Sequence, residues 1–129
     1  MIVYLESSAA VKLLQPEPES VALARFCNAL IDDSTLVTAA ITETELRRAA
    51  ERSGVPQVIA TAILDRLDVA DMERAMFTAA GVLPGPNLRS LDALHVAAAL
   101  YLNADVLVSY DPRQLDAAAA NGVRTVSPA

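Results

Sequence analysis

The chain has 129 residues, 53% hydrophobic and 20% charged, ample for one domain with a real core and too apolar for disorder. Sixteen acids against ten bases give a net charge of -6, which excludes a general polyanion binder of the polybasic kind. Nucleic acid is still allowed, because a divalent cation gathered by several acids reverses the local sign and lets phosphate approach.

Short apolar runs rich in branched residues alternate with longer stretches of helical period, the pattern of a parallel sheet covered by helices. Ile2–Leu5 reads as the first strand and Ser7–Leu14 as the first helix. The run Gln15-Pro16-Glu17-Pro18 stops that helix and starts the next, which is expected to reach about residue 31. A strand over 36–39 leads into a helix over 41–52, closed by Ser53-Gly54. Val55-Pro56 opens a helix over 57–66; a weak strand at 67–70, a helix over 72–80 and a proline- and glycine-rich loop over 81–87 follow. A helix over 91–102, a strand over 106–109, a helix over Pro112–Ala120 stopped by Asn121-Gly122, and a strand over 123–126 complete the chain. There is no repeat, low-complexity tract or dividing linker, so residues 1–129 are expected to form a single α/β domain around a five-stranded sheet.

Cys27 has no second cysteine to pair with, and its apolar helical setting predicts a buried thiol. No positively charged start precedes an apolar segment, and the long apolar stretch over 93–108 is broken by His95, Asn103 and Asp105. A soluble, cytoplasmic protein without a membrane span is the expectation.

Most catalytic kits are missing. One histidine leaves no pair of imidazoles for acid and base work, and one cysteine leaves no zinc cluster of the Cys/His type. The four glycines spell neither a dinucleotide fingerprint nor a phosphate loop. Carboxylates remain. Glu6 follows the first strand, Glu45 lies in the first turn after the second, Asp92 opens a late helix, and Asp111 follows the 106–109 strand. In an open α/β sheet ligands bind at this C-terminal edge. Clustered oxygen ligands there suit magnesium or manganese, which can activate water and stabilise charge on a phosphodiester.

Each acid also has a structural reading. Thr42 and Glu45 could form a capping box, Ser90 could cap a helix that carries Asp92 near its positive end, Asp111-Pro112 is a strong helix start, and Glu6 could favour its own following helix. The functional reading rests on their joint placement at one edge.

The ordered set Tyr4-Leu5-Glu6-Ser7-Ser8-Ala9, Thr44-Glu45-Leu46-Arg47-Arg48-Ala49, Arg89-Ser90-Leu91-Asp92-Ala93-Leu94-His95-Val96-Ala97-Ala98-Ala99 and Leu107-Val108-Ser109-Tyr110-Asp111 resembles the PIN domain, and within it the VapC-type toxins of bacterial toxin-antitoxin pairs. The resemblance spans the chain. It implies a three-layer sandwich with a mostly parallel five-stranded sheet and a metal-dependent endoribonuclease that leaves a 5′-phosphate and a 3′-hydroxyl. Glu6, Glu45, Asp92 and Asp111 would hold one or two Mg2+ or Mn2+ ions, and Ser8 would help orient them. Ser109 stands where relatives often have threonine. The implied partners are a VapB-type antitoxin covering the toxin groove, a second copy in a homodimer, and the RNA substrate.

Family members carry aspartate where this chain has Glu6. The extra methylene moves the carboxylate by ~1.5 Å, about one carbon bond length, and misplacement of about 1 Å can lower a rate on the order of a hundredfold. Three readings of Glu6 follow: an active variant whose backbone or bound waters adjust, a natural variant with weak activity, or an engineered change that tames the enzyme. A ribonuclease of reduced activity is the expectation, and the alternative is an impaired domain acting mainly as an antitoxin-binding, dimeric module. A phosphoacceptor receiver domain, which also gathers acids at a sheet edge, needs a late lysine, and the only lysine is Lys12. Among the remaining residues, Arg47, Arg113 and Tyr110 are the RNA-contact candidates, and Arg48 and Arg52, on the helix of Glu45, could also touch phosphate. His95, in an alanine-rich helix three residues after Asp92, reads better as a satisfied structural histidine than as a catalytic base. Leu13, Leu14, Leu23 and Phe26 read as core.

Overall fold

A computed structural model describes residues 1–30 and 33–129. Five strands, β1 (Ile2–Leu5), β2 (Thr35–Ala39), β3 (Asp68–Ala70), β4 (Val106–Val108) and β5 (Arg124–Val126), form one sheet in the order β3-β2-β1-β4-β5. Every neighbouring pair is parallel, so the sheet is more uniform than the mostly parallel one expected. Among the described residues the covering helices are α1 (Ser7–Leu14), α2 (Ser20–Ala29), α3 (Ala40–Ser53), α4 (Gln57–Leu64), α5 (Arg74–Gly81), α6 (Ser90–Tyr101) and α7 (Pro112–Ala120). None is long and apolar enough to cross a membrane.

Strand alternation divides the core into two layers. Val3 and Leu5 on β1, with Val106 and Val108 on β4, pack against residues of α1 to α4. Tyr4 and Leu107 point the other way, onto Met76, Ala98, Ala99 and Ala118 from α5 to α7. The central strands are therefore apolar on both faces, as a parallel sheet sandwiched by helices requires. Burying each of Val3, Tyr4 and Leu5 completely contributes about 1.5–3 kcal/mol. Leu14 and Leu23 are buried in the first layer, with Leu13 and Phe26 packed against it, which agrees with their reading as core. Cys27 is buried as well, and burial pushes its thiol above the ordinary range.

The chain leaves β1 toward β2 and β3 on one side, then returns to β4 on the other. The strand order thus reverses at β1, and the crevice outside the C-terminal ends of β1 and β4 is the topological switch point where ligands of such sheets bind.

Helix starts differ from expectation in two places that bear on the site. α3 begins at Ala40 behind Ala39, without a side-chain cap, so Thr42 lies inside the helix and its Oγ1 accepts a 2.6 Å hydrogen bond from Thr38. The capping box of Thr42 and Glu45 does not form, because its threonine is committed to the sheet beneath. α6 begins at Ser90 behind Arg89, again without a side-chain cap, which makes Ser90 the first helical residue rather than the cap. Two starts agree with expectation: Glu6 caps α1 and Asp111 caps α7 through its side chain, with Pro112 next. Smaller shifts are end effects, α4 closing at Leu64 and α5 starting at Arg74. The helix expected to reach residue 31 ends at Ala29 with Leu30 as its cap, and residue 31 lies outside the described residues.

Candidate metal and phosphodiester site

Glu6 is only 3% exposed and every contact to its carboxylate is a donor. Oε1 accepts from the Ser8 backbone N–H at 2.9 Å and from Ser7 Oγ at 2.7 Å. Oε2 accepts from Ser109 Oγ at 2.9 Å and from Ser8 Oγ. The two serines that brace Oε2 are themselves fixed by backbone: Tyr110 N donates to Ser8 Oγ and Asp111 N donates to Ser109 Oγ. The end of β4 therefore locks the acid at the end of β1. The extra methylene of glutamate lets one carboxylate cap α1 and also reach across to Ser109.

The other acids are held by different donors. Glu45 on α3 accepts from His95 Nε2 at 2.8 Å through Oε1 and from Ser7 Oγ at 3.1 Å through Oε2. Asp92 accepts from the buried Gln114 amide at 3.2 Å. Gln114 Oε1 in turn accepts from Ser109 Oγ at 3.1 Å. Asp111 accepts from the Arg113 backbone N–H at 3.0 Å as the α7 cap. Ser7 and Ser109 each share one hydroxyl proton between two acceptors, Glu6 and Glu45 for Ser7, Glu6 and Gln114 for Ser109, and through these contacts three of the four acids are linked. Among the described residues no buried side-chain nitrogen or oxygen lacks a partner, so the charges are supported without leaving orphaned groups beneath them.

Glu6, Glu45, Asp92 and Asp111 line one open cavity of about 470 Å3, together with Ser8, Lys12, Arg52 and Tyr110. A concavity of similar size, about 450 Å3, lies between α5 and the start of α6, and no carboxylate lines it. Charge therefore singles out the first. Among the described residues no three His, Cys, Asp or Glu side chains close on a single point as a metal cage would. Magnesium and manganese do not require such a cage: magnesium keeps several of its waters and takes only one or two carboxylates. A lining of hard oxygen donors without sulfur fits such an ion.

Of the residues expected in the site, the four acids, Ser8 and Tyr110 share the cavity. Arg47 points elsewhere, bonded to Glu43, Gln57 and Thr61. Arg113 is 3.6 Å from Asp111 and does not line the cavity. Tyr110 is half-buried, its hydroxyl donates to Pro128 O at 2.6 Å, and Lys12 stands 4.8 Å from its ring centre. One aromatic face is thus already taken by a cation. The cavity's own bases are Lys12 and Arg52, of which only Arg52 was among the possible phosphate contacts. Lys12 forms ion pairs with Glu17 and Glu19, and the Glu19 hydrogen bond chiefly holds its ammonium above the ordinary lysine range. Ser7, His95 and Gln114 were also missed as supports, since their partners lie far away in sequence. His95 does not pair with Asp92; it is buried between Glu45 and Tyr4. Burial pushes the Tyr4 hydroxyl far above its ordinary range, which keeps it a donor.

A parallel sheet with this strand order and acids from separate segments at its switch point defines the class. The chain belongs to the PIN-domain family, whose model matches residues 3–120. Within that family it is of the VapC type. It is 39% identical over 137 aligned residues to "Ribonuclease VapC35" of Mycobacterium tuberculosis, covering 98% of this chain and 97% of the relative. Among solved structures it is similar to VapC20 of Mycobacterium tuberculosis, described as a sarcin-ricin loop cleaving toxin, with TM-score 0.76, 15% identity and coverage of 98% and 99% of the two chains. It is also similar to VapBC2 from Rickettsia felis bound to a DNA fragment from its promoter, with TM-score 0.74, 18% identity and full coverage of both chains. At those identities the structural likeness speaks for the fold alone.

Proposed function

We propose that this chain is the toxin of a type II toxin-antitoxin pair and acts in the cytoplasm as a metal-dependent endoribonuclease. The observation that carries the proposal is the convergence of Glu6, Glu45, Asp92 and Asp111, from four separated segments, on one cavity. The relatives named ribonucleases support RNA as substrate. Glu6, Glu45, Asp92 and Asp111 are the residues that would hold Mg2+ or Mn2+. Such an ion, when bound, supplies activation of water and neutralisation of charge at a phosphodiester.

The chain's own groups do the remaining work. Ser8 and Ser109 keep Glu6 turned into the crevice, Gln114 does the same for Asp92, and Ser7 spans Glu6 and Glu45. Arg52 on the cavity wall offers a guanidinium to phosphate oxygens, the geometry that arginine forks suit. Water adds at phosphorus in line, the 3′ oxygen leaves as a hydroxyl, and the phosphate remains on the 5′ side. A VapB-type antitoxin as partner is supported by the solved VapBC complexes of the same fold, and a homodimer goes with that assignment.

A second reading, an impaired domain that keeps antitoxin and dimer contacts, is favoured by one observation: both Glu6 oxygens are already engaged by hydroxyl and backbone donors. Purified protein incubated with structured and single-stranded RNAs decides between them. Cleavage is expected with Mn2+, and not with chelator or in Asp92→Asn. Equal cleavage in all three would refute the metal mechanism; no cleavage under any condition, with antitoxin binding intact, would favour the second reading.

A further inference from the structure

His95 is the one histidine of the chain and lies 1% exposed on α6, outside the set of residues that line the acid cavity. Its ring is held at both nitrogens. Nδ1 is 2.8 Å from the Tyr4 hydroxyl, and Nε2 is 2.8 Å from Glu45 Oε1 with Ser7 Oγ at 3.3 Å. The Tyr4 ring meets it edge-on, centroids 5.9 Å apart at 72°.

Glu45 needs such a hold more than Glu6 and Asp111 do. Glu6 and Asp111 cap helices through their own side chains, which fixes each carboxylate against nearby backbone. Glu45 projects from within α3, and a free glutamate side chain gives up to ~2 kcal/mol of rotamer entropy to be fixed in one place. The group that restrains it from below is the His95 ring. We infer that Tyr4 and His95 form a positioning pair that orients the Glu45 carboxylate toward a divalent cation, a role resting on the metal-dependent reading above.

Hydrogen placement makes the pair directional. A carboxylate only accepts, so the imidazole proton belongs on Nε2, facing Glu45. Nδ1 is then bare and accepts from the Tyr4 hydroxyl. Tyr4 selects the tautomer, His95 passes that choice across its ring, and Glu45 receives a donor of fixed direction. This is the pattern by which partners of metal-binding groups tune a site from one layer out, and their loss typically weakens metal binding about 10–100-fold. His95 is thus a positioning residue acting through Glu45.

Because there is a single histidine, 15N-histidine labelling gives one imidazole to observe. The wild type is expected to show Nε2 protonated and Nδ1 bare, and Tyr4→Phe to show a mixture of tautomers. Calorimetry with Mn2+ alone is expected to show binding weakened about 10–100-fold in His95→Leu. Recovery of most of that loss is expected in His95→Gln, whose amide can still donate to Glu45. Circular dichroism reports whether each variant is folded. An Nδ1–H tautomer in the wild type, or wild-type Mn2+ affinity in folded His95→Leu, would overturn the positioning role alone. If His95→Leu does not fold, an unchanged tautomer and unchanged Mn2+ affinity in Tyr4→Phe would overturn it instead. A wild-type protein that binds no Mn2+ would overturn both this role and the metal reading of the cavity.

Discussion

Replacing Ser109 by alanine removes one oxygen from a fully buried position and tests how Glu6 is supported. The single hydroxyl proton, shared between Glu6 Oε2 at 2.9 Å and Gln114 Oε1 at 3.1 Å, is lost together with the acceptor for Asp111 N at 3.1 Å. A hydrogen bond to a charged group contributes about 1.5–3 kcal/mol and a neutral one about 1 kcal/mol. The expected loss is therefore about 2.5–4 kcal/mol. For a chain of this size roughly 4 °C accompanies each kcal/mol, so the melting temperature should fall by roughly 10–16 °C. Urea unfolding followed by circular dichroism measures the change, with Ser53→Ala, at an exposed helix end, as a control for simple hydroxyl removal, expected to stay within about 0.5 kcal/mol. A Ser109→Ala loss below about 1 kcal/mol would refute the idea that this hydroxyl braces the buried carboxylate.

Glu6→Asp is expected to leave RNA cleavage at or below the wild-type rate, because the donors around Glu6 fit the longer side chain. A gain on the order of a hundredfold, the scale of a misplaced catalytic group, would instead show that glutamate impairs this site. Arg52→Ala is expected to weaken RNA binding and flatten its salt dependence by roughly 0.7 in log–log slope, the value for one phosphate contact on a single strand. Arg47→Ala, away from the cavity, should leave that slope alone; equal effects from both would contradict the placement. Folding stability should decline on the alkaline side. Tyr4 ordinarily ionises at 10.0 and burial holds it higher in the fold, so the unfolded chain releases its proton first. Its contribution is complete below pH 10.0 and is lost as pH rises above it, at about 1.4 kcal/mol per pH unit. Burial raises Cys27 and Tyr110 in the same direction. Tyr4→Phe should therefore make the alkaline limb of stability less steep, and parallel limbs in the two proteins would disprove Tyr4's share.

The sheet was legible because its apolar runs are short, branched and regularly interrupted, and the observed strands fall within the expected ones, apart from β2 beginning one residue earlier at Thr35. Helix caps were legible where the signal is local: Glu6 beside Ser8, and Asp111 before Pro112. They were misread at Thr42, whose hydroxyl is bonded to Thr38 of the sheet below, and at Ser90, which is already the first helical residue. The convergence of four acids could be anticipated from strand ends, since topology brings those ends together. Their supports could not. His95 meets Glu45 across 50 positions, Ser7 meets Glu45 across 38, and Ser109 meets Glu6 across 103, and no local pattern in a single sequence marks pairs so distant. For the same reason Arg47 seemed a phosphate contact until its bonds to Gln57 and Thr61 turned it toward α4.

The first strand made is the middle strand of the finished sheet. Val3 must wait for Val106 before its second edge is paired, and Glu6 must wait for Ser109 before its carboxylate is braced. Contacts between residues so far apart along the chain form late, after the entropy of closing a long loop has been met. On a ribosome this means that a growing chain carries its first acid for nearly the whole of synthesis with no site around it. A chain that ends before Ser109 therefore has Glu6 without its brace, and one that ends before Asp111 lacks an acid of the cavity.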